Sequence, residues 1–344
     1  MKKMLLLLLL CIVSSWNVSV LAQEKVEEVE DDGWKRGLSF GMDFAQLLQI
    51  NPKVGAGEDK LGIGGTVGVF GNYKKDKLLW NNTVSLLFGI QRLGSGLSVI
   101  NPTIDNPFQK SIDELRFSSK IGTQVKDDSK WAYAAELTFV SQITPTYPGN
   151  FLTDVTDTGA SPIAKLFSPA TLTLSPGIDY KANKKLSFFF APFSWKAIFV
   201  LEDAIAALPA STKEDNTKGI HGNDWRSPTD FDNTFHQLGA TLKGIYQDKF
   251  LEGKGAFKSE LTLFSNYLEN PQNLDVDWRN EIAMNIWKGL QLSLTVNVVY
   301  DHDVKVQITD YSASGGVQQT ENGPALGRRA SITEQLLIKY NVVF

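Results

Sequence analysis

The sequence has one cysteine, three histidines and a single long apolar run in 344 residues, and each scarcity closes off a class of protein. Cys11 has no partner within the chain, so no internal disulfide can form and packing and hydrogen bonds must hold the fold. Leu10 stands before it where a lipoprotein signal would carry a small residue, so no lipid anchor is expected. The apolar run, residues 4–13, is about 10 residues long against the roughly 20 that a membrane-spanning helix needs, which excludes a helical multispan protein. Behind Lys2 and Lys3 and closed by Val20-Leu21-Ala22, it reads as a secretory signal peptide over residues 1–22, cut after Ala22. Charge of one sign is also lacking: 34 Lys and Arg face 38 Asp and Glu. Most of the acidic excess sits in residues 24–32, the body of an expected acidic tail over residues 23–36. The rest is nearly neutral, so nucleic acid is not an expected partner.

What is abundant is alternation with a period of two. In residues 290–300 Leu290, Leu292, Leu294, Val296, Val298 and Tyr300 share one face, and Gln291, Ser293, Thr295 and Asn297 share the other. Twelve such segments are predicted as strands: 38–49, 61–73, 78–91, 110–125, 131–143, 168–180, 185–196, 235–246, 256–268, 274–287, 289–303 and 331–344. Many run to about 12 residues, long enough to cross a bilayer when tilted, whereas strands of soluble proteins have a mode of about 5 to 6.

The connections alternate too. Tight turns follow even-numbered segments, as at Lys74-Lys75-Asp76-Lys77; long stretches follow odd ones, at 50–60, 92–109, 144–167, 197–234 and 304–330, with a short exception at 269–273. Trp and Tyr gather at segment ends: Tyr73, Trp80, Trp131, Tyr180, Tyr246 and Trp287 on the short-turn side, Trp195, Tyr267 and Tyr300 on the other. Long strands, this asymmetry and two aromatic girdles predict an all-β fold: one transmembrane antiparallel β-barrel over residues 37–344, with short periplasmic turns and long extracellular loops. Outer-membrane lipid is then the partner of its outward apolar face. Closure is required, because an open sheet edge in hydrocarbon leaves amide groups unsatisfied.

The inward set follows from the same alternation: Asp43, Glu114, Arg116, Lys120, Glu136, Lys243, Lys258, Glu260, Asp275, Asp277, Arg279, Glu281 and Lys339. This balance of signs fits either a charged pathway for a small polar solute or an ion-paired network filling a narrow barrel, and the pairing alternative is favoured. Asp275 and Asp277 can bind a cation or pair with nearby bases. No catalytic residue, cofactor or metal site is expected. There is no G-x-S-x-G or H-E-x-x-H motif; His236 and the group Asp301-His302-Asp303 suit a hydrolase but read more simply as rim residues. The glycines at 62, 64, 65, 68 and 71 lie within a strand, so they relieve crowding rather than bind phosphate. The longest connection, 197–234, holds a helix-competent stretch at 201–208 stopped by Pro209; it either folds over the lumen or stands free. Asp224, Asp230 and Asp232 lack the spacing of an EF-hand calcium loop.

Certain stretches also resemble a family of uncharacterised Bacteroidetes-type outer-membrane proteins with a domain of unknown function. They are Trp34-Lys35-x-Gly37, Tyr73-Lys-Lys-Asp-Lys77 with Trp80-Asn-Asn82, Glu114-Leu115 with Ser119-Lys-Ile-Gly122, Trp131-Ala-Tyr133, Phe167-Ser-Pro-Ala170 with Gly177-x-x-Tyr180, Leu263-Phe-Ser-Asn-Tyr267 with Asn273-x-Asp275-Val276-x-Trp278, and Tyr300-Asp301. The resemblance implies an exported barrel and brings no catalytic residue or ligand. A departure from its pattern, Ile50-Asn51-Pro52, falls in the first long connection. The ending in Phe344 resembles the terminal signature read by the barrel-assembly machinery, an expected partner.

Overall fold

The computed structural model describes residues 32–47, 60–93, 108–147, 159, 161–209, 218–288, 290–302, 306–307, 319–320, 323–324 and 326–343. The expected signal peptide, the acidic run before Asp32 and the C-terminal Phe344 lie outside the described residues. Twelve long strands run β1 (Gly33–Leu47), β2 (Lys60–Lys75), β3 (Leu78–Leu93), β4 (Gln109–Gln124), β5 (Trp131–Ser141), β6 (Ala170–Lys181), β7 (Leu186–Phe199), β8 (Thr234–Phe250), β9 (Gly255–Asn266), β10 (Asp275–Trp287), β11 (Leu290–Tyr300) and β12 (Ser331–Val343). Each pairs antiparallel with the next, and β1 pairs with β12 from Gly37 opposite Val343 to Met42 opposite Ile338, so the sheet closes on itself as a barrel. Closure satisfies both edges, which no open twelve-stranded sheet can do. No described helix is long and apolar enough to cross a membrane.

The strands are 11 to 17 residues long, as the alternation predicts. The largest departure is at the start: Gly33–Arg36, assigned to the acidic tail, belong to β1, where Trp34 lies opposite Tyr73. The cause is aromatic packing. Trp34 meets Tyr73 at 5.1 Å and Trp80 at 5.7 Å between ring centroids, which extends β1 to the short-turn end.

Burial is inverted relative to a water-soluble protein. Every strand shows a large apolar side chain outward, among them Phe40, Val67, Val84, Ile121, Tyr133, Leu174, Phe190, Leu242, Leu261, Ile282, Leu292 and Leu336. Phe193 and Ile332 are more than 60% exposed. Among the described residues the buried interior is instead largely polar, with Glu136, Ser175, Ser194, Gln237, Thr241, Lys243, Gln291 and Ser293 below 10% exposure.

Two devices shape the wall. Along β2, Gly68 stands opposite Ser39, whose Oγ would lie 2.4 Å from an added Cβ, so a glycine lets the two strands meet there. In β7 an extra residue at Pro192 shifts the register against both neighbours, between Leu174 and Ile178 on β6 and between Gly239 and Thr241 on β8. Proline has no N–H to give to a ladder, and a bulge is where a strand tolerates it.

The described parts of the long connection between β7 and β8, residues 200–209 and 218–233, fold over the inner side of the rim. Ile198 and Phe235 face each other across the two strands, and Ile198 shares its face with Lys196, which reaches Asp275 on β10 across the interior. Val200, Ile205 and Ala206 bury themselves against Ile198 and Phe231, and the Lys218 ammonium sits 3.7 Å from the Phe235 ring centroid. The helix-competent stretch forms one turn, α1 (Asp203–Ala206). Buried Asn223 donates to the carbonyls of Ala206 and Asp232, and Trp225 Nε1 donates to Ala207 O at 2.8 Å. The neighbouring connection joins in: His221 Nε2 meets Ile163 O at 2.7 Å, Lys165 pairs with Glu202, and Ser168 Oγ accepts from Glu202 N. Burial pushes the His221 imidazole below its usual range, with the bond to Ile163 opposing that shift.

Candidate functional site

The interior is where most of the inward-facing charge converges among the described residues, and the alternation of twelve strands brings it there. Its central feature joins opposite walls. In the closed order five strands separate β4 from β10 in either direction. Yet Arg279 Nη1 donates to Glu114 Oε1 at 3.0 Å and its Nη2 to Glu114 Oε2 at 3.2 Å. Arg116 Nη2 returns to Asp277 Oδ2 at 3.2 Å, while its Nε also binds Glu114 and Arg279 Nε binds Asp277. Two bases and two acids therefore form a clasp of alternating sign across the bore. Bidentate guanidinium–carboxylate geometry makes it the best-defined charge pairing in the interior.

The other predicted inward residues divide around this clasp. On the β5–β9 side Lys243 Nζ lies 2.6 Å from Glu136 and 3.3 Å from Glu260, and Lys258 Nζ lies 3.6 Å from Glu260. Lys120 pairs with Asp179 at 2.5 Å and covers the Phe189 ring at 4.1 Å. Toward the long-loop end Asp275 pairs with Lys196 at 3.1 Å. On the opposite side Lys339 meets Glu281 at 2.7 Å, and Ser293 Oγ donates to the same carboxylate. The side chain of Asp43 lies outside the described residues.

Sequence reading missed two partners. Asp179 follows Ser175 and Gly177 on one face of β6, so strict alternation was enough to find it. Lys196 was hidden by the Pro192 bulge: counted from buried Phe189 and Ala191, an even-numbered residue belongs outside, and the extra residue turns it inward.

Beside the clasp lies a cavity of about 140 Å³. Ser39, Thr66, Gly68, Ser85 and Leu87 form one wall on β1–β3; Lys258, Glu260, Arg279, Glu281, Gln291, Thr295, Asn297, Leu337 and Lys339 form the facing wall on β9–β12. Polar and charged residues make up most of its lining, with Leu87 and Leu337 among them, and it has room for several waters.

The residues weighed for other chemistry have ordinary partners. His236 stacks on Trp195 at 5.7 Å, and the Tyr300 hydroxyl meets His302 Nδ1 at 3.0 Å. Asp303 lies outside the described residues. Asp230 and Asp232 both hold Arg226, and Asp224 holds Lys218. Hydrogen bonding from Arg226 keeps the Asp230 carboxyl below its usual range. Among the described residues no group of His, Cys, Asp and Glu is placed to hold a metal ion.

Comparison with known proteins adds a partial match. Residues 49–147, which include β2 to β5, match the model of a family described as protein of unknown function DUF3078. No curated protein matches the chain. Among solved structures it is similar to the COG4313 outer membrane channel from Pseudomonas putida F1, at 13% identity over 94% of this chain and 100% of that one, with a TM-score of 0.40. It is also similar to the translocator domain of the autotransporter NalP from Neisseria meningitidis (7% identity, 91% and 90% covered, TM-score 0.36) and to the Ralstonia pickettii toluene transporter TbuX (11%, 92% and 90%, TM-score 0.28). At these scores the likenesses carry no argument about what this chain does.

Proposed function

We propose that this chain is an outer-membrane β-barrel protein, exported by a cleaved signal peptide, whose interior is a narrow passage for small polar solutes. The observation that carries the proposal is the pairing of an outer surface apolar on all twelve strands with an interior holding a polar cavity beside the clasp. An apolar surface of that extent needs hydrocarbon against it, and a sealed cylinder is the one sheet form that leaves no amide unsatisfied there. The short turns then face the periplasm and the long connections the exterior. The motif resemblance running from Trp34 to the C-terminus supports extending the partial family match to the Bacteroidetes-type outer-membrane proteins.

The clasp sets the width. Porins of 16 to 18 strands leave an aqueous channel, whereas a twelve-stranded barrel crossed by two arginines and two acids leaves only a side gap. The expected solutes are accordingly small, and no chemistry is performed on them. The test is single-channel recording in planar bilayers. Low, steady conductance in the wild type that rises about twofold or more in Glu114→Ala or Arg279→Ala supports a passage narrowed by the clasp. Folded barrels of all three that carry no current contradict it.

A second reading, a surface binding platform, draws on one observation: the described parts of the β7–β8 connection form a folded cap packed on the rim. Deleting that cap abolishes capture of a partner under this reading and leaves conductance equal or higher under the first.

A further inference from the structure

Building on the passage reading, we infer that solutes travel not along the barrel axis but down one side, between the β1–β3 wall and the clasp, and that this path discriminates little between cations and anions. The clasp lies on a diameter of the bore, and the cavity lies on its β11–β3 side, reaching past it only to Lys258 and Glu260 on β9. The half bounded by β5–β8 is packed: Phe189 is 2% exposed, Ser175 3%, Glu136 7% and Ala134 8%. Lys120 lies over the Phe189 ring, and Lys243 bridges two carboxylates in the same space.

The other half is lined by short side chains. Ser39, Gly68 and Ser85 lie side by side in register across β1, β2 and β3, and that row continues into Arg116 of the clasp. The next row runs Thr66, Leu87, Glu114. A wall ending in Oγ atoms and a glycine cannot reach across the bore, so the space in front of it stays open as the cavity described above. Charge selection requires a ring or stripe of one sign. Here each cation facing the cavity has an acid beside it: Lys339 with Glu281, Lys258 with Glu260, Arg279 with Glu114. A passing ion therefore meets pairs whose fields largely cancel beyond the pair separation.

Cys11, in the expected signal peptide, is the one cysteine of the sequence, so single cysteines placed in the barrel can be modified selectively. In a Cys11→Ser background, Thr66→Cys and Ser85→Cys probe the open wall; Ala134→Cys and the isosteric Ser175→Cys probe the packed one. Each is recorded in planar bilayers before and after a cationic and an anionic methanethiosulfonate reagent, with folding checked by gel mobility. The inference expects both reagents to cut current about twofold or more at residues 66 and 85, at similar rates, and to leave 134 and 175 unchanged. Block at 134 or 175 with none at 66 and 85 overturns the eccentric path while leaving the passage standing. A rate ratio of about tenfold or more between the reagents overturns the weak charge preference. Absence of current in every variant, Glu114→Ala included, overturns the passage itself and the inference with it.

Discussion

At the scale of single residues, the interior is stable because its charges are paired, and the pairs differ in what they would lose. Lys243 is the most demanding: its side chain is 11% exposed and holds Glu136, itself 8% exposed, at 2.6 Å. Replacing Lys243 by Met leaves a buried carboxylate without its base, at a cost of about 3–5 kcal/mol. Adding Glu136→Leu should recover much of that loss, because Glu260 keeps Lys258 as a partner. Urea midpoints for unfolding from detergent micelles measure both; equal midpoints for wild type and Lys243→Met contradict the pairing. His221 behaves differently, being a buried base outside the strands. Its folded pKa lies below the unfolded value of 6.5, so an unfolded cap binds the proton more readily. Stability of the cap is therefore present above pH about 6.5 and is lost as pH falls toward the folded pKa. The protection of the Gly219 and Ile220 amides, which bond to Asn223 O and Leu208 O, against hydrogen exchange, taken relative to the intrinsic rate at each pH, should fall on acidification in the wild type and lose that pH response in His221→Gln.

At the scale of elements, the strands were legible almost throughout, because one face meeting apolar surroundings and the other polar ones writes a period of two into each segment. Residues 290–298 show this without interruption and lie in β11 as expected. The departures come where that rule is overridden locally. Trp34 extends β1 back into a stretch assigned to the tail, and Pro192 flips the parity of β7, which is why Lys196 went unseen while Glu114 and Arg279 were found. The diametric partnership of those two was not legible at all, since it depends on closure of the barrel and not on spacing along the chain. Backbone proximity sets a further constraint on β8. An added Cβ at Gly239 would fall 1.9 Å from Ser265 O, whereas at Gly244 the nearest atom is on Phe188 at 3.6 Å. Gly239→Ala should therefore destabilise the barrel by about 1–3 kcal/mol or more, while Gly244→Ala stays within about 0.5 kcal/mol of wild type. The fraction recovered folded after dilution from urea into detergent reads this contrast; equal recovery of the two variants contradicts it.

At the scale of the whole molecule, an apolar outside, a polar inside and a closed sheet are one arrangement seen three ways, and each requires the others. The clasp and the cap then narrow what the cylinder would otherwise leave open, the first from wall to wall and the second at the rim. The measurement that bears most directly on this account is electrophoretic mobility of the detergent-purified protein with and without boiling. A sealed barrel keeps its compact form in dodecyl sulfate until heated, so the account predicts a faster band unboiled that moves on boiling to the position of the mature chain, below the 38.1 kDa of the full sequence with its signal peptide. A protein that stays in solution without detergent and runs as one band under both conditions contradicts it.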